Sequence, residues 1–319
     1  MIVTLTPNPS HDRTVTLSAP LERGAVQRAD SVISQAGGKG VNISRASVAA
    51  GIPSIAVLPA PKDDPFVLEL LSSGIDCRPV DHEGVLRVNI TISEPDGTTT
   101  KLNSPGPTAT PEVLAALAAS LRRRAASADW IVLAGSLPPG APPGWYADLV
   151  AALRDTGARL AVDTSDEPLR ALVARLPASA PHLMKPNGEE LASFTGADAA
   201  ELESDPLAAA GAARSLVHRG VENVLVTLGA NGAVLVTGAG AWHATPPPTT
   251  VVSTVGAGDA SLFGYLLGDI KKQSPAQRLA LAVAYGSAAA GLAGTTVPDP
   301  SQVRPDLVGV HDLVLTPGG

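Results

Sequence analysis

Short apolar runs alternate with stretches of helical periodicity along most of the chain. Residues 2–6 (IVTLT), 54–58 (SIAVL), 130–135 (WIVLAG), 159–164 (RLAVDT), 182–187 (HLMKPN) and 223–229 (NVLVTLG) predict buried strands. Between them the spacing predicts helices near 40–50, 64–73, 110–127, 142–154, 187–195 and 205–219. Thr110-Pro111-Glu112 reads as an N-cap followed by Pro at the first helical position. Strand–helix alternation of this kind implies an α/β fold with a doubly wound, mostly parallel sheet. Ligands then bind beyond the carboxyl ends of the strands.

Two segments, about 12–34 and 86–103, break the rhythm. Both alternate polar and apolar residues, and EPDGT in the second is a hairpin signal. They predict antiparallel strands outside the main sheet, forming a small β lid. An apolar face on that lid favours pairing with a second copy of the chain. TPPPTT (245–250) reads as a stiff connector.

Composition narrows the possible functions. Aromatic residues make up only 3% of the 319, so the core must rest on Ala, Val and Leu, which suits helices packed on a parallel sheet. The net charge of −7 argues against a general nucleic-acid binder but permits a local positive pocket. A single cysteine, Cys77, excludes an intrachain disulfide and a four-cysteine zinc site. MIVTLTPNPS reads as a strand and a turn, without the pattern of a signal peptide. No apolar run approaches the roughly 18 residues of a membrane span. The expectation is a cytoplasmic protein that binds neither membrane nor nucleic acid.

The chemistry concentrates in a few motifs. In VVSTVGAGDASLFG (251–264) a β-branched run stops at Gly256, and Gly-Ala-Gly-Asp opens a helix. Asp259 is either an N-cap or a general base beside an anion hole formed by the N–H groups of Gly256, Ala257 and Gly258. QAGGKGVN (35–42) lacks the P-loop pattern; it is a tight turn, or an open polar floor for a polyol built with Gly38, Lys39 and Asn42. KPNGEEL (185–191) is ordinary helix capping, or a site where Asn187 and Glu190 hold a hydrated Mg²⁺. VTLGANGA (226–233) reads as a hairpin. Arg87, Lys101 and Lys39, with Asn89 and Asn103 nearby, form either a solvated lid face or an anionic-substrate site.

Taken in order, TPNPSHDRTV, AGGKGVN, LRVNI, TKLNSPGP, AGSLPPG, VDTS, KPNGEEL, VTLGANGA and VVSTVGAGDA resemble the ribokinase-like (PfkB-type) sugar kinases, and within them the 1-phosphofructokinase and tagatose-6-phosphate kinase branch. The resemblance spans roughly residues 1–295. It implies one domain over 1–319 with a three-layer α/β/α core and a β lid, ATP and Mg²⁺ as cofactors, and a phosphorylated ketohexose as acceptor. Fructose 1-phosphate leads. Tagatose 6-phosphate, fructose 6-phosphate and a non-catalytic sugar- or nucleotide-binding sensor are the alternatives.

By the family's motifs Asp259 is the base and Gly256, Ala257 and Gly258 the anion hole. Asp12, Gly38, Lys39 and Asn42 would hold sugar hydroxyls. Arg87, with Lys39 and Lys101, would bind the existing phosphate, and Asn103 and Ser136 would line that pocket. Lys185 and Asn187 would lie by the ATP phosphates, with Glu190 linked to Mg²⁺. Thr227 to Gly232, including Gly229, and Ser253 would border the nucleotide; Ala284 and Ser287 would flank the adenine. The resemblance also implies a homodimer joined through the lids. An ionised Asp259 suffices at pH 7, so the base needs no large pKa shift. Two features depart from the family pattern: LPAPKDDPFVLELL (58–71), where a Gly-Gly turn is usual, and His11 and Arg13 beside Asp12.

Overall fold

A computed structural model describes residues 1–315. Its main sheet has ten strands in the order β14-β13-β12-β11-β10-β9-β8-β1-β4-β5. The parallel part comprises β1 (Ile2–Leu5), β4 (Ser54–Pro59), β5 (Asp76–Val80), β8 (Trp130–Ala134), β9 (Arg159–Asp163), β10 (Leu183–Met184) and β11 (Asn223–Thr227). An antiparallel edge follows: β12 (Ala233–Thr237), β13 (Gly240–Thr245) and β14 (Gly309–Leu313).

The period-2 alternation of the strands builds the two outer layers. Val3, Leu5, Ile131 and Leu133 face one core with α3 (Pro111–Ala125), α4 (Trp145–Leu153), α5 (Asp166–Ala174), α6 (Gly188–Thr195), α7 (Ala199–Ser204) and α8 (Pro206–His218). Ile2, Trp130, Val132 and Ala134 face the other, with α1 (Lys39–Ala49), α9 (Ala257–Ile270) and α10 (Pro275–Ala290). A smaller cluster under α2 (Pro65–Ser72) joins Val41, Leu58, Phe66 and Leu70.

A separate sheet forms the lid, in the order β3-β2-β6-β7: β2 (Ser10–Thr16), β3 (Ser31–Gly37), β6 (Arg87–Ser93) and β7 (Thr99–Asn103). The predicted lid segment 12–34 is strand only at its two ends, since Pro20 and Gly24 interrupt residues 17–30. The strand predicted over 182–187 holds only at Leu183–Met184, because Pro186 donates no hydrogen bond and Asn187 already caps α6. Thr110 caps α3, with Pro111 at its first position, as the sequence predicts. Residues 246–250 carry no regular structure, in keeping with a connector. Among the described residues no helix is long and apolar enough to cross a membrane.

Candidate active site

The carboxyl ends of the parallel strands gather the residues that the sequence singles out. Asp163 ends β9, Lys185 follows β10 directly, and Lys39 opens α1. Lys39 Nζ donates to Asp163 Oδ1 at 2.8 Å, and Lys185 Nζ forms an ion pair with Asp163 Oδ2 at 3.4 Å. Asp163 is fully buried. Burial alone would raise its pKa, but Lys185 and Lys39 outweigh that and hold the carboxyl below its ordinary range. Burial would lower the Lys39 pKa; Asp163, Asp259 and Glu190 overcome it and keep the ammonium charged.

Asp259 is not the helix cap. Gly256, with φ +80°, is the N-cap of α9 and makes no side-chain cap bond. Asp259 lies three residues further in, 7% exposed, and accepts a hydrogen bond from Asn42 Nδ2 at 2.8 Å. Burial pushes its pKa up to about 6, opposed by Lys39 and Asn42 and reinforced by Asp163. A value of about 6 still leaves the carboxylate ionised at pH 7. Lys185 Nζ lies 3.4 Å from where a Cβ on Gly258 would stand. The first turn of α9 therefore sets its N-terminal N–H groups beside an ammonium, an arrangement suited to a phosphoryl group, although the Ala257 N–H donates to the Thr254 carbonyl at 3.3 Å.

The turn before α1 is compressed. A Cβ on Gly38, where φ is +121°, would lie 2.6 Å from Thr6 Cγ2, and one on Gly40 would lie 2.4 Å from Thr6 Oγ1. Only glycine lets this backbone settle on the end of β1 and deliver both Lys39 and Asn42.

On the lid, Ser10 Oγ donates to Asp12 Oδ1 at 2.7 Å, and Asn89 Nδ2 donates to the same oxygen at 3.1 Å. Asn103 pairs across from Asn89, while Lys101 sits two pairs further out and exposed. Arg87 Nη2 donates to Ser136 Oγ at 3.4 Å and Nη1 to the Ser104 carbonyl at 3.3 Å; its Nε is buried without a partner. Both residues line a cleft of about 460 Å³ with Asn8, Pro105 and Gly140. Arg13 is exposed and alternates away from Asp12, so it adds no charge to the cleft.

The nucleotide-side residues are less uniform. Thr227 bridges to Asn187. Asn187 and Glu190 form a reciprocal capping box: Asn187 Oδ1 accepts from Glu190 N–H at 2.7 Å, and Glu190 Oε2 accepts from Asn187 N–H at 2.9 Å. This is the capping geometry that the sequence left as one of two readings. Glu190 keeps a second oxygen outside the box, and burial together with Asp163 raises its pKa. Magnesium needs one or two carboxylates plus phosphates and water, so this excess of buried negative charge fits a hydrated Mg²⁺.

Gly229 is open to its surroundings, whereas a Cβ on Gly232 would stand 1.9 Å from the Ala244 carbonyl oxygen, so Gly232 answers to packing. Ser253 Oγ accepts from Val255 N–H, and Ser287 shares a hydrogen bond with Thr249. Ala284, within α10, is buried in the core. Asp163 was missed as a site residue, although a carboxylate ending a buried strand was its signal.

The pfkB family carbohydrate kinase model matches residues 7–302. The chain is 38% identical to 1-phosphofructokinase of Rhodobacter capsulatus over 307 residues, 95% of this chain and 94% of that protein. It is similar to the solved phosphofructokinase-2 of Escherichia coli in complex with substrates and products, at TM-score 0.85, 27% identity, and 95% and 97% coverage of the two chains. Arabidopsis thaliana ribokinase, solved with ribose and ATP, shares the fold at TM-score 0.71 and 20% identity, covering 95% of this chain and 96% of that one. The chain belongs to the pfkB family of carbohydrate kinases, with a ribokinase-like fold, and is a sugar kinase that transfers phosphate.

Proposed function

We propose that this kinase transfers the terminal phosphoryl group of ATP to the free primary hydroxyl of fructose 1-phosphate, giving fructose 1,6-bisphosphate. The observation that carries the reading is the Asp259 carboxylate, held by Asn42 beside the α9 N-terminus and flanked by Lys39 and Lys185. The likeness to a 1-phosphofructokinase supports the choice of sugar.

Asp259 accepts the hydroxyl proton as the acceptor oxygen bonds to phosphorus and the bond to the ADP oxygen breaks. The N–H groups of Gly256, Ala257 and Gly258, with Lys185 and Lys39, stabilise charge on the transferring group. Asp163 keeps the two ammonium groups in place. Asp12, Asn42 and Asn103 orient sugar hydroxyls, and Arg87 with Ser136 binds the phosphate that the sugar already carries. Thr227, Gly229, Ser253 and Ser287 border the nucleotide. Mg²⁺ supplies charge neutralisation at the phosphates when bound, and Glu190 with Asn187 would hold its hydration shell.

The lid supports a homodimer. Strand register puts Asp12, Asn89 and Asn103 on one face of the lid, and Val15, Val32, Ile90, Ile92 and Leu102 on the other. Val32 and Leu102 are more than half exposed. A contiguous apolar face of this kind fits a second lid.

The test is ADP release with Mg·ATP and a panel of fructose 1-phosphate, fructose 6-phosphate and tagatose 6-phosphate. The highest kcat/KM with fructose 1-phosphate is expected. Preference for another sugar phosphate overturns the substrate, and no release with any of them favours a sensor.

A further inference from the structure

A half-buried carboxylate outside the cluster ties together both arms of the turn that delivers Lys39. Glu69, in the second turn of α2, accepts the Ala36 N–H on both oxygens, at 2.8 and 3.0 Å. Arg45 Nη2 donates to the same Glu69 Oε1 at 2.8 Å. Ala36 comes just before the Gly37-Gly38-Lys39 turn, and Arg45 lies in α1 just after it. β3 is an edge strand of the lid, and Ala36 is fully buried. Its N–H would therefore have neither ladder partner nor water if Glu69 were absent.

The turn itself has no slack. A Cβ on Gly37 would stand 2.1 Å from Asp12 Oδ2, and Gly38 and Gly40 rest against Thr6. A shift of this backbone would draw Lys39 off Asp163 and Asn42 off Asp259 together. The N-terminal end of α2 also touches the strand that bears Asp12. Asp64 caps α2 by accepting from Phe66 N–H at 2.8 Å, and His11 Nε2 lies 3.8 Å from Asp64 Oδ1. The His11 ring meets Phe66 edge-on at 5.5 Å. His11 and the 58–71 segment, the two departures from the family pattern, are thus in contact with each other.

We infer that Glu69 is a positioning residue for phosphoryl transfer, acting through Ala36 and Arg45 to hold Lys39 and Asn42 in register with Asp163 and Asp259. The inference rests on the reading that Lys39 and Asn42 serve the reacting groups.

The experiment is a double-mutant cycle of Glu69→Ala with Lys39→Ala, measured at saturating substrates well below the unfolding temperature. Amide hydrogen exchange over residues 36–42 is followed in parallel. Glu69→Ala is expected to lower kcat about tenfold, within the range for a small misplacement of reacting groups. Glu69→Gln, which keeps an acceptor for Ala36, is expected to lose less. In the Lys39→Ala background the Glu69 substitution is expected to cost clearly less than in the wild type, the remainder acting through Asn42. Exchange over 36–42 is expected to accelerate.

Unchanged kcat with only a lower melting temperature overturns the inference, as does full multiplication of the two losses or unchanged exchange. Should Glu69→Ala fail to fold, Glu69→Gln carries the same cycle. Asp259→Asn with normal turnover would defeat the assignment of the base and leave this cycle readable, since the cycle compares Glu69 with Lys39. The exchange readout stands even if none of the panel sugars is phosphorylated.

Discussion

At the scale of single residues, the proposed base Asp259 would set catalysis against stability. Its folded pKa of about 6 lies above the ordinary 3.8, so the fold favours the protonated form. That contribution is fully present below about pH 4 and is lost as pH rises through about 6. Above pH 6 the ionised carboxylate costs about 3 kcal/mol, since each tenfold change in its proton affinity is worth roughly 1.4 kcal/mol. Asp259→Asn is accordingly expected to raise the melting temperature at pH 7.5 and to do so much less at pH 4, which calorimetry at the two pH values checks. The same variant should lose at least about 10²-fold in turnover, the low end for a general base. In the wild type, kcat/KM should fall as pH drops below about 6; a flat profile between pH 5 and 7 would contradict the base. Arg87→Ala should raise KM for the sugar phosphate by about tenfold or more, the worth of a charge-assisted hydrogen bond, and leave KM for ATP nearly unchanged. Equal effects on both substrates would remove Arg87 from the phosphate site. The two readings of Asp259, cap or base, were legible in its motif, and the resemblance favoured the base. The role of Asp163 was not, because it exists only through Lys39, 124 residues away, and Lys185.

At the scale of elements, α9 and α10 approach closely through glycine. A Cβ on Gly264 would stand 2.4 Å from the Leu281 carbonyl oxygen and 2.9 Å from Ala282 Cα. Backbone occupies that space, so no side chain can swing aside. Gly264→Ala is expected to cost about 1–3 kcal/mol, the range for an overpacked core, read from denaturant unfolding. A change below about 0.5 kcal/mol would mean that the helices separate freely. Helix limits were largely legible where caps marked them: Thr110 and Asn187 each accept an N–H of the first turn. The helix predicted near 64–73 is α2, capped by Asp64, but only the folded α2 shows Glu69 reaching across to Ala36.

At the scale of the molecule, the outward lid face carries the prediction on assembly. Leu102→Glu combined with Val32→Glu should turn a dimer into a monomer, because like charges would face one another across an apolar contact. Light scattering after size exclusion checks the mass, and a wild-type monomer at micromolar concentration would remove the proposal. The sequence by itself determined the alternation of strands and helices, the polar and apolar faces of the lid, and the glycine and carboxylate chemistry of the motifs. Periodicity and capping are local properties, carried by neighbours along the chain. Only the tertiary structure decided that Asp259 pairs with Asn42 rather than capping its helix, that Asp163 binds two lysines, and that His11 meets the 58–71 segment. Those outcomes depend on which strand ends lie side by side and on how much water burial removes. Both are set by packing between distant segments, which local pattern does not encode.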